Sequence, residues 1–380
     1  MKKILKVLAG IVVFFLVLHF GLRLTGNGYL SKGFWAAYMH GNNSATIDDA
    51  RFFETHKIEA SATPWQWPVR ADYNKAPLSD RLKGILTKTQ SVAFLVIQND
   101  SILTEHYWDG YSDSSLSNSF SMAKSITTML VEIAIQKGVF TGWHQKVNTI
   151  LPGLKGLHAS ELELWHLSAM CSGLDWDEAY KNPFTVTAKA YYGDDVSKLM
   201  IGLPIIDEPG KNFNYQSGNT ELLGMCLIKA TGKSLADLAS DWLWKPLQAE
   251  RNAKWHTDDK GTELAYCCFN SDARDFARFG KMMLHSGNWN GTQILDSSFV
   301  QLATTGNLVP YYGYSFWLDD SHGTKVFAQR GILGQYIITI PAYNTVVVRL
   351  GKHSLPPQNH APEDFHVIVE EVLKMVKGQA

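Results

Sequence analysis

The apolar residues of this chain fall into blocks of two kinds, strand-length runs near its two ends and helix-like repeats between them. The early runs, 91–98 and 101–108, flank Asn99-Asp100, a residue pair typical of a β-hairpin turn. Later strand-like runs lie at 312–318, 325–329, 335–340 and 345–350. Helix-like segments dominate from residue 118 to about residue 284, and an amphipathic helix is predicted over 363–375.

This order predicts an α+β fold, in which an antiparallel sheet is flanked by helices and joined to an inserted, mostly helical subdomain. The early hairpin and the late strands would share the sheet, and the last helix would cover it. We expect an N-terminal membrane segment over 1–25, an irregular lead-in over 26–84 and one catalytic domain over 85–377. A cleft between the sheet and the inserted helices is the expected site.

The first region has the composition of a membrane-targeting segment. Lys2, Lys3 and Lys6 precede an uncharged apolar run that continues to Leu22. As a helix, residues 7–22 would span about 24 Å, slightly less than the roughly 30 Å of a hydrocarbon core. The sequence near residues 26–28 lacks the alanines preferred at a cleavage site, so we favour an uncleaved anchor in the inner membrane over a cleaved signal peptide. Either segment would export the rest of the chain to the periplasm or beyond.

Composition narrows the remaining function classes. The formal net charge of -1 and the absence of a basic tract beyond residue 6 argue against a nucleic-acid partner. Cys171, Cys226, Cys267 and Cys268 lack the spacing of a zinc site, and they fit either buried thiols or one disulfide. The thirteen histidines are scattered in the sequence, so no metal site is predicted. The sequence does not indicate an oligomeric state.

One short motif in the chain suggests catalysis. Ser121 and Lys124 form its one Ser-x-x-Lys spacing, at the start of a predicted buried helix, where their side chains would be neighbours. Burial and the helix dipole would both lower the pKa of Lys124, from about 10.4 toward 7 or 8. A neutral lysine could then remove the proton of a serine nucleophile. Motifs of the α/β-hydrolase, zinc-protease, nucleotide and dinucleotide classes do not occur.

Further segments follow this pair in an informative order: "LWHLSAMCSGLDWDEAY", "EPGKNFNYQSGNTELLG", "NSDARDFARFGKMMLHSGNWNG" and "QRGILGQYIITIP". Together with the Ser-x-x-Lys motif, they make residues 85–375 resemble the serine beta-lactamase and penicillin-binding-protein superfamily. Within that superfamily, the resemblance is closest to class C-like esterases and 6-aminohexanoate-dimer hydrolases. It implies a serine hydrolase that cleaves a small amide or ester through an acyl-enzyme on Ser121, with no metal or organic cofactor.

The resemblance also assigns a second motif, Tyr-x-Ser, to Tyr215 and Ser217. Tyr215 would relay protons, and the nearby lysine cation would favour its phenolate. Ser217 is a candidate polar contact of Lys124. A literal Tyr-x-Asn at Tyr180 is rejected because it lacks the preceding Pro-Gly and the following Leu-Leu-Gly helix.

The third motif departs from the superfamily's Lys-Thr-Gly or His-x-Gly form, since Gln329-Arg330-Gly331 stands in its place. Gly331 would let a substrate approach the strand, and the N–H groups of Ser121 and Ile332 would form an oxyanion hole. Arg330 is a candidate replacement for the missing lysine in carboxylate recognition. Asp177, on a loop at the edge of the cleft, is a further candidate for binding substrate.

Two other functions stay open at this stage. The chain could be a beta-lactamase or a D-alanyl-D-alanine carboxypeptidase that acts on peptidoglycan-type substrates. It could also be a non-catalytic protein that binds peptidoglycan fragments or senses them, although the intact set of Ser121, Lys124 and Tyr215 argues against that function.

Overall fold

The computed structural model describes residues 2–41 and 44–377. Its α-helices are α1 (Lys2–Leu24), α2 (Gly28–Ala36), α3 (Asp80–Lys88), α4 (Met122–Gln136), α5 (Leu164–Ser168), α6 (Val186–Tyr192), α7 (Val196–Gly202), α8 (Ser217–Thr231), α9 (Leu235–Ala239), α10 (Ala273–Leu284), α11 (Ser297–Ala303) and α12 (Glu363–Lys377). Its strands are β1 (Thr55–Ile58), β2 (Ser91–Gln98), β3 (Ser101–Tyr107), β4 (Ser117–Asn118), β5 (Ala253–His256), β6 (Phe269–Ser271), β7 (Asn288–Trp289), β8 (Thr292–Gln293), β9 (Trp317–Asp319), β10 (Val326–Gly331), β11 (Gln335–Ile340), β12 (Thr345–Gly351), β13 (Pro357–Gln358) and β14 (Ala361–Pro362).

The largest sheet contains strands from two distant parts of the sequence, residues 91–107 and 317–351. Its strand order is β3-β2-β12-β11-β10-β9, and every neighbouring pair is antiparallel. The early hairpin therefore lies beside the late strands, with most of the helices inserted between them in the sequence. This arrangement confirms the predicted α+β fold with its antiparallel sheet and inserted helical subdomain.

Both faces of this sheet are covered, which explains why its central strands are buried at every position and mostly apolar. Alternate residues of a strand point to opposite faces, so Leu95 packs toward α4 and α10, whereas Phe94 packs toward α3 and α12. Helix α10 approaches closely because it has a glycine at the contact. A Cβ at Gly280 would lie 2.5 Å from a methyl group of Val346. The helix α4 thus lies deep in the molecule, between the sheet and the helical subdomain.

The lead-in over 26–84 is more ordered than predicted. Instead of an irregular segment, it contains α2, the start of α3 and the strand β1. This strand pairs with β5 in a second sheet of order β1-β5-β6-β4. Of the four residues in β1, Ile58 alone is buried, so the strand has no alternating pattern that the sequence could reveal.

The predicted strand over 312–318 is also shorter in the structure. Only Trp317 and the two residues after it form β9. Tyr312, Tyr314 and Phe316 are buried, but the backbone turns at Ser315, where φ is 61°. An apolar run alone does not distinguish such a buried turn from a strand.

The N-terminal helix α1 is the one helix within 2–41 and 44–377 that is long and apolar enough to cross a membrane, and its most apolar window has no residue buried in the protein. This fits either an anchor or a signal segment. A turn at residues 25–27 connects α1 to α2, which packs against α6. Of the four cysteines, Cys267 and Cys268 form a disulfide, and Cys171 and Cys226 are buried thiols.

Candidate active site

The turn that precedes α4 is held in place on both sides. The N–H of Ser119 donates to the carbonyl of Phe269 in β6 (2.9 Å), and the N–H of Phe120 donates to Oδ1 of Asn118 (2.8 Å). Phe120 has a φ of 43°, a conformation uncommon for a bulky residue. It turns the chain from strand to helix and leaves Ser121 half-buried at the N-cap of α4, where the predicted nucleophile faces a cavity.

Lys124 lies one turn into the same helix, with a side chain that is only 1% exposed. Its ammonium donates to Oγ of Ser121 (3.0 Å), to Oγ of Ser217 (2.9 Å) and to the carbonyl of Tyr266 (3.1 Å), so its three N–H groups are all used. No carboxylate of the described residues forms an ion pair with it. Burial lowers the pKa of Lys124 to about 8, against the more distant charges of Glu178 and Glu221, which raise it.

Ser217 connects this lysine to an acid that the sequence analysis did not select. Oγ of Ser217 accepts from Lys124, and it donates to one carboxylate oxygen of Glu178 (2.6 Å), while the N–H of Ser217 donates to the other oxygen (2.6 Å). Glu178 also accepts from the indole of Trp176 (2.6 Å). The predicted contact between Ser217 and Lys124 is therefore present. Glu178 follows Asp177 on the loop that was predicted to edge the cleft, but the sequence could not show which of these two acids points inward.

The ring of Tyr215 lies over the lysine, with its centroid 5.2 Å from Nζ of Lys124, and packs against Trp317 at 5.3 Å between centroids. Burial and the charge of Glu178 raise the pKa of Tyr215 far above its usual value, although a hydrogen bond with Ser121 and the charge of Arg330 act in the opposite direction. These shifts favour a neutral phenol over the expected phenolate. A neutral Tyr215 beside the Ser121 hydroxyl can donate a proton.

The end of β10 lies against the turn before Ser121. A Cβ at Gly331 would be 2.3 Å from the carbonyl oxygen of Ser119, so the glycine makes room for this turn, in addition to any room it makes for a substrate. Ile332 follows at the N-terminus of a short 3-10 helix, where N–H groups lack partners within the helix. Ile332 and Ser121 line the same cavity, and the N–H of Ser121 donates to none of the described residues.

Two predicted substrate contacts lie elsewhere. The guanidinium of Arg330 stacks on Trp317, 3.9 Å from the ring centroid, and donates to the carbonyl of His360 (2.8 Å), and burial lowers its pKa to about 10. Asp177 is exposed, and its carbonyl accepts from the hydroxyl of Thr187. Neither residue lines the cavity above Ser121, and their roles in substrate binding stay predictions.

This cavity has a volume of about 330 Å³ and is mainly apolar. One wall comes from α2 and another from the segment before α6, and six of the lining residues are Tyr29, Phe34, Tyr180, Phe184, Tyr191 and Ile332. Neither wall was predicted from the sequence. Helix α2 lies in the segment predicted to be irregular, and the Tyr-x-Asn motif at Tyr180 was rejected because it lacks the flanking Pro-Gly and Leu-Leu-Gly.

The fold and the pair of Ser121 and Lys124 together indicate a class: serine hydrolases that have a serine and a buried lysine one turn apart on the same helix. Comparison with known proteins agrees. The family model described as Beta-lactamase matches residues 78–369, which is more than half of the chain. The chain therefore belongs to the beta-lactamase family, and it is a serine hydrolase of that fold.

One relative in sequence and two solved structures are similar to this chain over most of its length. The chain is 26% identical over 323 residues to the 6-aminohexanoate-dimer hydrolase of Paenarthrobacter ureafaciens, covering 79% of this chain and 82% of that protein. A candidate 6-aminohexanoate-dimer hydrolase from Bacillus anthracis has a similar structure, with a TM-score of 0.77, 22% identity and coverage of 88% and 93%. A D-stereospecific amidohydrolase from Streptomyces sp. shares the fold with a TM-score of 0.61, at 15% identity and coverage of 78% and 98%.

Proposed function

We propose that Ser121 is the nucleophile of an exported hydrolase that cleaves a small amide or ester through an acyl-enzyme. The observation that carries the proposal is the environment of Lys124. Its Nζ is buried within 3.0 Å of the Ser121 hydroxyl, and no carboxylate within residues 2–41 and 44–377 is in direct contact with it. A lysine with a pKa of about 8 is neutral often enough near neutral pH to act as a base.

The chemical steps follow from these contacts. Neutral Lys124 takes the proton of the Ser121 hydroxyl as Oγ forms a bond to the substrate carbonyl carbon. The N–H groups of Ser121 and Ile332 would bind the resulting oxyanion. As the tetrahedral intermediate collapses, Tyr215 donates its phenolic proton to the leaving amine or alkoxide, and the proton on Lys124 replaces it. A water molecule then attacks the ester on Ser121 and releases the acid.

The cavity supports a substrate with an apolar group of moderate size. Its aromatic wall offers buried apolar contact, worth about 25 cal/mol for each Å² removed from water. The wall contributed by α2 follows α1 after only a short turn. If α1 is an uncleaved anchor with the domain outside the cytoplasm, as we propose, the cleft would lie near the membrane surface.

The rival function, hydrolysis of beta-lactams, receives less support from the third motif. Gln329 is buried in β10, and the guanidinium of Arg330 is occupied by Trp317 and His360. A substrate carboxylate would therefore have to displace existing protein contacts in order to bind there.

Intact-mass spectrometry tests the proposal directly. The full chain in detergent is mixed with p-nitrophenyl esters of increasing acyl length, with linear amides and with nitrocefin. We expect a mass increase equal to the acyl group from esters, absent in Ser121→Ala. An acyl adduct in Ser121→Ala would refute Ser121 as nucleophile. Efficient turnover of nitrocefin without ester hydrolysis would support the beta-lactamase function. Failure of a fluorophosphonate to label the folded protein would favour a non-catalytic role.

A further inference from the structure

A second cluster of chemically active side chains lies away from the cavity, at the outer edge of the large sheet. Asp319 is the last residue of β9, His322 lies in the turn that follows, and His366 is in the first turn of α12. Their side chains are 13%, 6% and 14% exposed, respectively. Because His366 is distant from the other two in the sequence, residue spacing could not reveal the group.

The three side chains direct one atom each toward a common point. Nε2 of His322 is 3.1 Å from Nδ1 of His366, and each of these nitrogens is 3.4 Å from Oδ2 of Asp319. A tetrahedral ion with bonds of about 2.0–2.1 Å holds its ligand atoms about 3.3–3.4 Å apart. The triangle formed by the three atoms therefore closely matches one face of such a tetrahedron.

For His366 and Asp319, the partners on the far side of the group indicate which electron pairs are free. Nε2 of His366 lies 2.9 Å from the carbonyl of Gln358, which can only accept, so this nitrogen carries the proton. Nδ1 of a neutral His366 then presents a lone pair to the cluster, as in many metal-binding histidines. Oδ1 of Asp319 accepts from the N–H of Ser321 (2.8 Å), whereas its buried Oδ2 has no hydrogen-bond partner among the described residues.

We propose that Asp319, His322 and His366 bind one divalent transition-metal ion of the Zn²⁺ type, with water in the fourth position. Two imidazoles favour Zn²⁺ and its neighbours over Ca²⁺ or Mg²⁺, which prefer oxygen ligands. The ion would join the edge strand β9 to α12. It would thereby fix Trp317, which packs against both Tyr215 and Arg330. Its role would be structural, since the reaction proposed for Ser121 does not involve it.

Metal binding by the full chain tests this proposal, with the protein purified without a histidine tag and stripped with a chelator. We expect equilibrium dialysis to give one Zn²⁺ per chain, and saturating Zn²⁺ at about 100 times its Kd to raise Tm by about 3 °C. Asp319→Asn, His322→Gln and His366→Gln should each weaken binding at least tenfold. His285→Gln is a matched control because His285 pairs with Asp100 without a second histidine, and it should bind as the unaltered chain does.

Substoichiometric binding by the unaltered chain would overturn the proposal. The proposal would also be overturned if His322→Gln and His366→Gln bound Zn²⁺ as tightly as the unaltered chain does, which would indicate an adventitious ion only. Folding of each metal-free variant is checked by circular dichroism, which depends neither on the metal nor on the reaction at Ser121. If the variants do not fold, the visible spectrum of the unaltered chain with Co²⁺ in place of Zn²⁺ tests the site. Strong visible absorption of four-coordinate Co²⁺ with nitrogen ligands supports the site, and the weak spectrum of six-coordinate Co²⁺ refutes it.

Discussion

Two buried cations of this chain, Lys124 on α4 and Arg278 on α10, have opposite surroundings. Both are essentially inaccessible to solvent, with exposures of 1% and 0%. Arg278 is held by two carboxylates, Asp275 at 2.6 Å and Glu250 at 3.0 Å, and by backbone carbonyls. Lys124 contacts two hydroxyls and one carbonyl, all neutral.

This difference shows that the partners of a buried cation, and not burial alone, decide what it does. An arginine keeps its proton in a protein, and the two carboxylates that contact Arg278 balance its charge. A lysine without a carboxylate in contact can escape the cost of a buried charge by becoming neutral. The first arrangement stabilises the fold, and the second creates a base. Three substitutions and one change of pH test this difference between the two cations.

The largest effect is expected from Lys124→Met, which retains the shape of the side chain but removes the base. We expect kcat/KM for an ester substrate to fall by about 10³- to 10⁴-fold. The free energy of unfolding should not decrease, because an apolar side chain replaces a buried polar one. Ester hydrolysis and urea unfolding measure the two quantities. Lys137→Met, at the exposed end of the same helix, is the control and should leave the rate unchanged. A Lys124→Met protein with more than a tenth of the normal rate would contradict the assignment.

The counterpart on the arginine side is Asp275→Ala. Asp275 accepts from Arg278 and from the N–H groups of Glu250 and Arg251 at 2.9 Å, so its loss leaves buried donors without partners. We expect the free energy of unfolding to fall by about 3–5 kcal/mol, with kcat/KM of the remaining folded protein unchanged. Denaturant titration measures the loss. In the exposed control Asp241→Ala, it should stay below about 1 kcal/mol. A large change in kcat/KM would show that the α10 cluster is not purely structural.

The pH dependence of stability gives a third test. The folded pKa of Lys124, about 8, lies below its ordinary 10.5, so between these values the unfolded chain binds more protons and stability rises with pH. Below pH 8 the buried charge costs about 3 kcal/mol, and this cost disappears as the pH rises toward 10.5. Lys124→Met should therefore have a larger free energy of unfolding than the unaltered chain, and this difference should be larger at about pH 7 than at about pH 10. A difference that does not change with pH, measured by urea unfolding, would mean that the lysine is not desolvated.

The smallest expected effect comes from Glu178→Gln. The charge of Glu178 raises the pKa of Lys124, so its removal should lower that pKa and move the acidic limb of the kcat/KM profile, normally near pH 8, to lower pH. The optimum rate should fall by about tenfold or less, because a glutamine cannot accept both bonds from Ser217. Glu208→Gln, on an exposed acid, is the control. A shift to higher pH would exclude Lys124 as the group that titrates.

The sequence was sufficient for the parts of the molecule that have a repeating pattern. The strands of the large sheet and the enclosed helix α4 follow from the spacing of apolar residues, and the pair Ser121 and Lys124 follows from helical geometry. The polar residues of α4 are also accounted for. Ser125 and Thr127 donate to the carbonyls of Ser315 and Ala265, as expected for hydroxyls that are buried within a packed helix.

Several missed features depend on contacts between distant segments. Glu178 and Asp177 are neighbouring acids of one loop, and the hydrogen bonds from Ser217 fix which of them points inward. The state of the Tyr215 phenol depends on burial and on this same acid, neither of which the motif specifies. The cluster of Asp319, His322 and His366 forms only when α12 packs beside β9. No local pattern carries such information.

The position of α2 has a practical consequence for measuring substrate preference. A hydrophobic N-terminal helix is commonly deleted to obtain a protein that needs no detergent. Deleting residues 1–37 here would also remove Tyr29 and Phe34, and with them one side of the cavity. Such a shortened enzyme would retain Ser121, Lys124 and Tyr215 and could still cleave esters. Its selectivity, however, would be that of an open groove, so a broad substrate profile would describe the truncation and not the natural enzyme.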